Sequence, residues 1–258
     1  YKSHGIDAIK TGYVGHGTEI VQAEDPDKHE WHHGQYMVRH YREIVVKAAE
    51  YEIMLDVHEP IKPTGIRRTW PNMMTREGAR GQEFNAWSGD GGNPPNHTTI
   101  LPFTRLLGGP FDHTPGIFDL TFDHANRPDN RVSTTLAKQL ALYVVLYSPL
   151  HMAADLPENY VDQPAFQFIK DVPTDWAETQ VPHGEIGEYV IIIRKDRNSD
   201  DWYIGGITNE DDRSVTVDLS FLDKNLNYQA QIYEDGQDVH WRENPYAMDI
   251  RTLKLNHT

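Results

Sequence analysis

Residues 53–84 read IMLDVHEPIKPTGIRRTWPNMMTREGARGQEF. The run begins with five residues of strand character and leads directly into His58 and Glu59. A charged pair at the end of a buried strand is costly unless the charge is paired or binds a metal. Two more carboxylates follow, at Glu77 and Glu83. The stretch therefore predicts a catalytic or metal-binding site at the end of a buried strand.

The composition is that of an acidic chain rich in aromatic residues. It has 258 residues, a formal net charge of −15, 13 tyrosines, 8 phenylalanines and 6 tryptophans, and no cysteine. So many aromatic residues argue against disorder. The negative charge disfavours nucleic acid and anionic membranes as partners, because both need a basic face. Without cysteine, disulfides and zinc–thiolate sites are excluded, and no apolar run is long enough to span a bilayer.

The first part of the chain alternates predicted strands and helices. Apolar residues of the segment 35–51 fall on one helical face, and a predicted strand over 53–57 follows after a very short connection. The other predicted elements are strands over 6–14, 70–74 and 149–153, a strand end at 108–112, and helices over 133–146, capped by Ser133, and over 166–171. This order is typical of parallel βα units.

Polar residues stand at the ends of several of these strands. They are residues 10–12, His58 and Glu59, Glu77, and Asp112. In a (β/α)8 barrel the active site forms at the C-terminal ends of the strands, so we expect these residues to gather at one face. About five strands can be counted, against the eight that close a barrel. Either some strands escape the pattern, or the first strands lie upstream of this sequence.

Beyond residue 172 the pattern changes to short strands separated by turn residues. These strands are predicted over 189–195, 202–207, 214–219, 228–233 and 249–255. We predict an α/β fold with barrel-type βα units over residues 1–172 and a small antiparallel β-sheet domain over residues 173–258. Residues 1–5 read like the last turn of a helix with its glycine stop, so we expect the chain to be a piece of a longer protein.

The acidic residues suit two kinds of chemistry. Paired carboxyl groups suit glycoside hydrolysis, in which one donates a proton and the other activates water or attacks the sugar. Several glutamates on converging loops also suit calcium, which prefers carboxylate oxygens. The competing interpretation is that Glu77 and Glu83 form ion pairs with Arg76 and Arg80 on a solvated surface.

Other polar and aromatic residues allow more than one role. Trp70, Phe84 and Trp87 could stack on a sugar face. Lys10, at a strand end, could bind a sugar hydroxyl or pair with a neighbouring carboxylate. The histidines show no HExxH spacing, so hydrogen-bonding or structural roles are expected for most of them.

Many short motifs, in order, carry a family resemblance. They are KTGYV at 10–14, HE at 58–59, PTG at 63–65, RTWPN at 68–72, EGARGQE at 77–83, HTTILPFTR at 97–105, GGP at 108–110, Asp112 and TPG at 114–116. Together they resemble glycoside hydrolase family 97, densely over residues 1–155 and only in general character over the β domain. The resemblance implies calcium-dependent α-glucosidases or α-galactosidases with an N-terminal β-sandwich, a (β/α)8 barrel and a C-terminal β domain. Residues 1–172 would then be the second half of the (β/α)8 catalytic barrel, and residues 173–258 the C-terminal antiparallel β-sheet domain.

The resemblance also implies roles for individual residues. Glu83 would be the general acid and Glu59 the base that activates water. Glu59, Glu77 and Glu83 would bind calcium (Ca²⁺). We assign substrate binding to Lys10, His58, Trp70 and His97. A second base and a further calcium ligand would lie upstream, the latter in the missing N-terminal domain of the same polypeptide.

Stereochemistry divides the family that the chain resembles. Retaining members place a nucleophilic aspartate at the end of the strand that corresponds to residues 6–14, where this sequence has Gly12. That difference favours inversion and α-glucosidic oligosaccharides as substrates. A retaining α-galactosidase of the same family, or a catalytically silent carbohydrate-binding protein, remains an alternative. The resemblance implies a periplasmic location.

Overall fold

The computed structural model describes residues 1–12, 20–123 and 129–255, so residues 13 and 14 of the predicted first strand lie outside it. The chain divides into two compact units. The first comprises residues 1–80, 105–113 and 148–150, and the second comprises residues 81–104, 114–147 and 151–258. The division by fold type between residues 172 and 173 stays a prediction.

The first unit is built on a parallel three-stranded sheet. Its elements are β1 (Ala8–Thr11), β2 (Ile20–Val21), β3 (His29–Glu30), α1 (Gln35–Glu50), β4 (Met54–Val57), α2 (Ile66–Thr69) and β5 (Met73–Arg76), with 3-10 helices at Lys2–His4 and Arg105–Gly108. The sheet order is β1–β4–β5, with both pairs parallel. A further parallel bridge joins Arg76 to Phe111. Spatial order thus follows chain order, as the βα pattern predicts.

Helix α1 and strand β4 form as predicted, and they share one apolar core. Met37, Tyr41 and Val45 recur every fourth residue on α1 and pack in one cluster with Leu55 and Val57 of β4. The last three residues of β4 are all buried. A parallel strand covered on both faces reads as a near-continuous apolar run, which is why the sequence identifies it so clearly.

The strand predicted over 70–74 is displaced along the chain. Trp70 ends α2, and its N–H donates to the Ile66 carbonyl at 2.8 Å. The first hydrogen bond between this segment and β4 is the one that the Leu55 N–H donates to the Asn72 carbonyl at 2.7 Å. Pro71 has no N–H to offer a ladder, so the strand starts after it, at Met73.

The second unit combines helices with antiparallel sheets. Its elements are α3 (Glu83–Trp87), α4 (His97–Ile100), a 3-10 helix at Leu101–Phe103, α5 (Leu136–Val145), α6 (Pro157–Tyr160), α7 (Phe166–Asp171), β6 (Trp176–Glu185), β7 (Tyr189–Asp196), β8 (Trp202–Thr208), β9 (Tyr228–Asp235) and β10 (Met248–Leu255). β6, β7 and β8 form one antiparallel sheet, and β9 and β10 form another. Within the described residues, no helix has both the length and the apolar character needed to cross a bilayer.

Helix α5 is the buried helix of the second unit, and it starts later than predicted. Eight of its ten residues are buried. The predicted cap, Ser133, is wrong, because residues 133–135 are not helical. Thr135 takes the extended backbone of a cap, and its hydroxyl oxygen accepts a hydrogen bond from the Lys138 N–H at 3.2 Å.

Two predicted strands do not form, and three strands are missed, namely β2, β3 and β6. Residues 214–219 lie outside every ladder of the described chain. Residues 149–153 are not a strand either, and in this segment the Met152 carbonyl instead accepts the Tyr143 hydroxyl at 2.7 Å. Strand β6 was missed because it is mostly exposed and its register shifts twice, so its sequence lacks a clean apolar alternation.

We expect Thr135→Ala to lower the free energy of unfolding by about 1–2 kcal/mol, because the substitution removes the acceptor that caps α5. Ser133→Ala, two residues earlier, is the matched control and should change stability far less. Urea denaturation of the full-length protein measures both. Equal losses for the two variants would contradict the assignment of the cap.

Candidate active site

The ends of neighbouring strands bring four polar residues together in the first unit. His58 and Glu59 follow β4 directly, Glu77 follows β5, and Asp112 follows the Phe111 bridge. Backbone bonds continue past the strands: the Glu77 N–H donates to the Val57 carbonyl at 2.9 Å, and the Asp112 N–H donates to the Arg76 carbonyl at 3.0 Å. The gathering expected at the C-terminal edge of the sheet is therefore found for these residues.

His58 is enclosed by carboxyl groups. Its Nε2 lies 2.7 Å from Asp112 Oδ2 and 3.6 Å from Asp56 Oδ2, and its Nδ1 lies 3.6 Å from Glu77 Oε2. The exposed fractions are 2% for His58, 1% for Asp56 and 0% for Asp112. Only the 2.7 Å contact has hydrogen-bond length, so Asp112 fixes the ring and accepts the Nε2 proton, while Nδ1 faces Glu77.

Glu59 has an unusual backbone conformation that its neighbours hold in place. Its φ is +43°, in the left-handed region that non-glycine residues rarely adopt. The Glu59 carbonyl accepts the Tyr41 hydroxyl at 2.5 Å and lies 2.7 Å from His32 Nε2, while the Glu59 N–H lies 3.3 Å from Glu77 Oε2. Strain of this kind persists where surrounding contacts over-determine the geometry, and it clusters at functional sites.

Gly12 leaves the space that the Glu59 side chain occupies. A Cβ atom built on Gly12 would lie 2.2 Å from Glu59 Oε2 and 3.1 Å from His58 Cβ. Real Cβ contacts do not approach 2.2 Å, so a side chain at residue 12 would require the end of the Glu59 side chain to move from the position it has here.

The nearby arginines bind backbone carbonyls rather than Glu77. Arg76 donates to the Ile61 and Gly108 carbonyls, at 3.3 and 3.2 Å. Arg105 donates to the Glu77 carbonyl at 2.6 Å and to the Arg76 carbonyl at 2.8 Å. Burial lowers the pKa of Arg105 to about 10 and also lowers the pKa of Arg76. The surface ion pair between Arg76 and Glu77 is therefore not found, and the Glu77 carboxylate turns toward Glu59 and His58.

Glu83 belongs to the second unit, where a buried amide network fixes the backbone beside it. Glu83 is exposed at the start of α3, and its N–H lies 3.3 Å from Thr114 Oγ1. The preceding residue, Gln82, exchanges hydrogen bonds with Gln139 at 2.7 and 2.8 Å and donates to the Thr114 carbonyl at 3.1 Å. The site of a candidate acid is thus rigid at its base and open at its carboxyl end.

The other predicted substrate-binding residues are distributed over both units. Lys10 is exposed on β1, in register with Asp56 of β4. Trp70 is half-buried against the core formed by α1 and β4. His97 is half-buried at the start of α4, in the second unit. Their substrate-binding roles, and that of His58, stay predictions.

Sequence reasoning missed the residues that support the site. Tyr41 looks like an ordinary core residue of an amphipathic helix, and His32 lies in a polar loop. Neither position carries a signal of contact with the Glu59 carbonyl, because that contact depends on how α1 and the loop are placed against β4.

Two overlapping sets of side chains in the described part of the first unit offer ligand atoms for a cation: the buried set of Asp56, His58 and Asp112, and the more open set of His58, Glu59 and Glu77. A nitrogen of His58 and one carboxylate oxygen each of Glu59 and Glu77 lie within 4.8 Å of one another. Two carboxylates this close repel each other, and a cation between them would offset that repulsion. The two carboxylate oxygens of this set suit a hard, oxygen-preferring cation, whereas the His58 nitrogen is a ligand that transition metals prefer.

Acidic residues gathered at the ends of parallel strands suit glycoside hydrolysis, which uses paired carboxyl groups. Residues 1–79 match the family model described as glycoside hydrolase 97. Residues 175–258 match the model described as glycosyl-hydrolase 97 C-terminal, oligomerisation, so the likeness also covers the β-rich part. The chain belongs to glycoside hydrolase family 97.

Individual relatives agree with this assignment. A variant of a family 97 enzyme from Pseudoalteromonas sp. strain K8, in complex with panose, is 49% identical with a TM-score of 0.91, covering 99% of this chain and 40% of that chain. The same enzyme in complex with acarbose is 50% identical to this chain with a TM-score of 0.90, again covering 99% of this chain and 40% of that chain. A retaining alpha-galactosidase from Bacteroides thetaiotaomicron is 37% identical over 211 residues, 80% of this chain and 31% of that protein. The chain thus spans about a third of that curated relative.

We expect Tyr41→Phe to lower kcat for glycoside hydrolysis by about tenfold, because losing one hydrogen bond of about 1–1.5 kcal/mol loosens the Glu59 backbone. Tyr36→Phe, on the same helix, is the matched control and should leave kcat within twofold. Steady-state rates and melting temperatures of the full-length protein measure the effect. A Tyr41→Phe variant that melts normally and keeps its full rate would contradict the role given to this contact.

Proposed function

We propose that the full-length protein is an inverting, calcium-dependent hydrolase of terminal α-glucosidic bonds. The observation that carries the proposal is the packing of the Glu59 carboxylate against Gly12. In a retaining relative, the position that corresponds to Gly12 would hold the nucleophilic aspartate. Here that space is filled by a carboxylate from the neighbouring strand end, which suits a base that activates water.

Two glutamates divide the chemistry in this proposal. Glu83 protonates the leaving glycosidic oxygen from the rigid start of α3. Glu59 accepts a proton from the attacking water, and its carboxylate is aimed by the contacts of its backbone with Tyr41 and Glu77. His58, fixed by Asp112, binds a sugar hydroxyl through the nitrogen that faces away from Asp112. Lys10, Trp70 and His97 are proposed to complete the substrate site.

Calcium is proposed as the metal, held by Glu59, Glu77 and Glu83. Support comes from the convergence of the Glu59 and Glu77 carboxylates, since calcium prefers oxygen ligands. A bound calcium ion supplies positive charge that fixes the carboxylates and stabilises developing negative charge. This chain's own contribution is to hold the Glu59 and Glu77 side chains at adjacent strand ends.

Two relatives support different sugars, one of them glucose and the other galactose. The family 97 enzyme solved with panose, a trisaccharide of α-linked glucose, is about half identical to this chain. The retaining alpha-galactosidase is 37% identical and supports a second candidate, a retaining α-galactosidase. Gly12 favours the first, because a retaining enzyme of this family needs a carboxylate at that position.

The larger architecture is also a proposal. Strands β1, β4 and β5 and the Phe111 bridge, parallel and in chain order, are proposed as consecutive strands of a (β/α)8 barrel. The remaining strands and an N-terminal domain would come from the rest of the polypeptide. A periplasmic location is proposed from the family resemblance alone.

We expect Glu83→Gln to slow hydrolysis of maltose by more than a hundredfold, because general acid catalysis usually supplies about 10²–10⁴. The loss should be much smaller with nitrophenyl α-glucoside, whose leaving group needs little protonation. Glu185→Gln, an exposed glutamate on β6, is the control. A decrease of less than about tenfold in the rate of maltose hydrolysis would contradict the assignment of Glu83 as the acid.

Removing calcium tests the metal directly. We expect a chelator to lower both the melting temperature and the rate of the full-length protein, and calcium to restore both, because the metal offsets repulsion between carboxylates. Glu77→Gln should raise the calcium concentration needed for half-maximal recovery. If chelation changes neither quantity, the calcium proposal is wrong.

A further inference from the structure

A cavity in the first unit adjoins the carboxylate site, and Tyr41, whose hydroxyl bonds to the Glu59 carbonyl, is among its lining residues. It has a volume of about 350 Å³ and is lined by α1 and by the segment from Val57 to Arg76. Its apolar surface comes from Val45, Ile66, Trp70 and Met73 among others. His58, Glu59 and Glu77 do not line it. Pockets of this size and character hold small organic molecules.

The charges around this cavity are all of one sign. Arg42, Lys62, Arg67 and Arg76 line it, and no aspartate or glutamate does. The whole chain carries a formal net charge of −15, so a concentration of cations without acids is a local departure from its composition. The cavity therefore combines apolar walls with a positive field.

These cations also lack counter-ions in the structure. Among the described residues, none of the four forms an ion pair with a carboxylate. Arg67 and Arg76 donate to the same Gly108 carbonyl, at 3.1 and 3.2 Å, which brings two guanidinium groups close together. Bonds to carbonyls satisfy N–H groups but cancel no charge. Burial, and then the charge of Arg67, lower the pKa of Arg76.

We propose that this cavity binds an organic monoanion with an apolar body, such as an aryl-alkyl carboxylate. The carboxylate would meet Arg42, Lys62 and Arg67, and the apolar body would cover Trp70 and Met73. A neutral sugar would gain little from four cations and an apolar wall. An inorganic anion would leave that wall exposed to water. The ligand site thus differs in charge and polarity from the proposed glycoside site, although Trp70 is assigned to both.

Binding of phenylbutyrate to the full-length protein, measured by isothermal titration calorimetry, tests the proposal. We expect saturable binding, and affinity for the neutral analogue phenylbutyramide lower by about tenfold or more. Arg42→Ala and Lys62→Glu, both at exposed positions, should each weaken phenylbutyrate binding about tenfold. Arg39→Ala is the matched control, because Arg39 is exposed on the same helix but does not line the cavity.

Several results would overturn the proposal. Absence of saturable binding rejects the site outright. Equal affinities for phenylbutyrate and phenylbutyramide show that the positive charge is not used. Unchanged affinity in both Arg42→Ala and Lys62→Glu places any binding elsewhere. Because the readout is binding rather than hydrolysis, it is independent of whether the glycosidase proposal holds.

Discussion

The site depends on the backbone of Glu59, which turns into the left-handed region immediately after a buried strand. Such a turn is unfavourable for a glutamate, and it is held by the Tyr41 hydroxyl, by His32 and by Glu77. The turn sends the carboxylate into the space above Gly12. The role that we propose for this edge of the sheet depends on that one conformation.

The supporting parts of the first unit are arranged around the same edge. Asp112 fixes the His58 ring, and Arg105 binds the carbonyls of Arg76 and Glu77. Arginine is suited to this role because its fork of donors can bind several carbonyls at once. Hydrogen bonds from polar side chains therefore hold the strand ends together, although the strands themselves are only four residues long.

The sequence was sufficient to predict β4, α1 and the gathering of His58, Glu59, Glu77 and Asp112. Burial on both faces makes β4 a continuous apolar run, and strand ends of a parallel sheet must share an edge. It was not sufficient for β6, whose exposed residues leave no alternation, or for residues 214–219, which alternate but find no partner strand. Pairing is a tertiary property, so local pattern cannot decide it.

The contacts that orient Glu59 also could not be predicted from the sequence. Tyr41 fits the apolar face of α1, and only its placement beside β4 reveals that its hydroxyl bonds to the Glu59 carbonyl. The cationic cavity is similar, because Arg42, on α1, is distant in the chain from Arg67 and Arg76 and comes near them only through folding. Family resemblance supplied the roles of Glu59 and Glu83, whereas the structure supplied the reason that Gly12 matters.

The most direct test is the anomer that the full-length protein releases first from an α-glucoside, followed by proton NMR before mutarotation. If the Glu59 carboxylate activates water in the space above Gly12, the first sugar to appear is the β anomer. Release of the α anomer would mean retention, and would contradict the account of Glu59 and Gly12 given above.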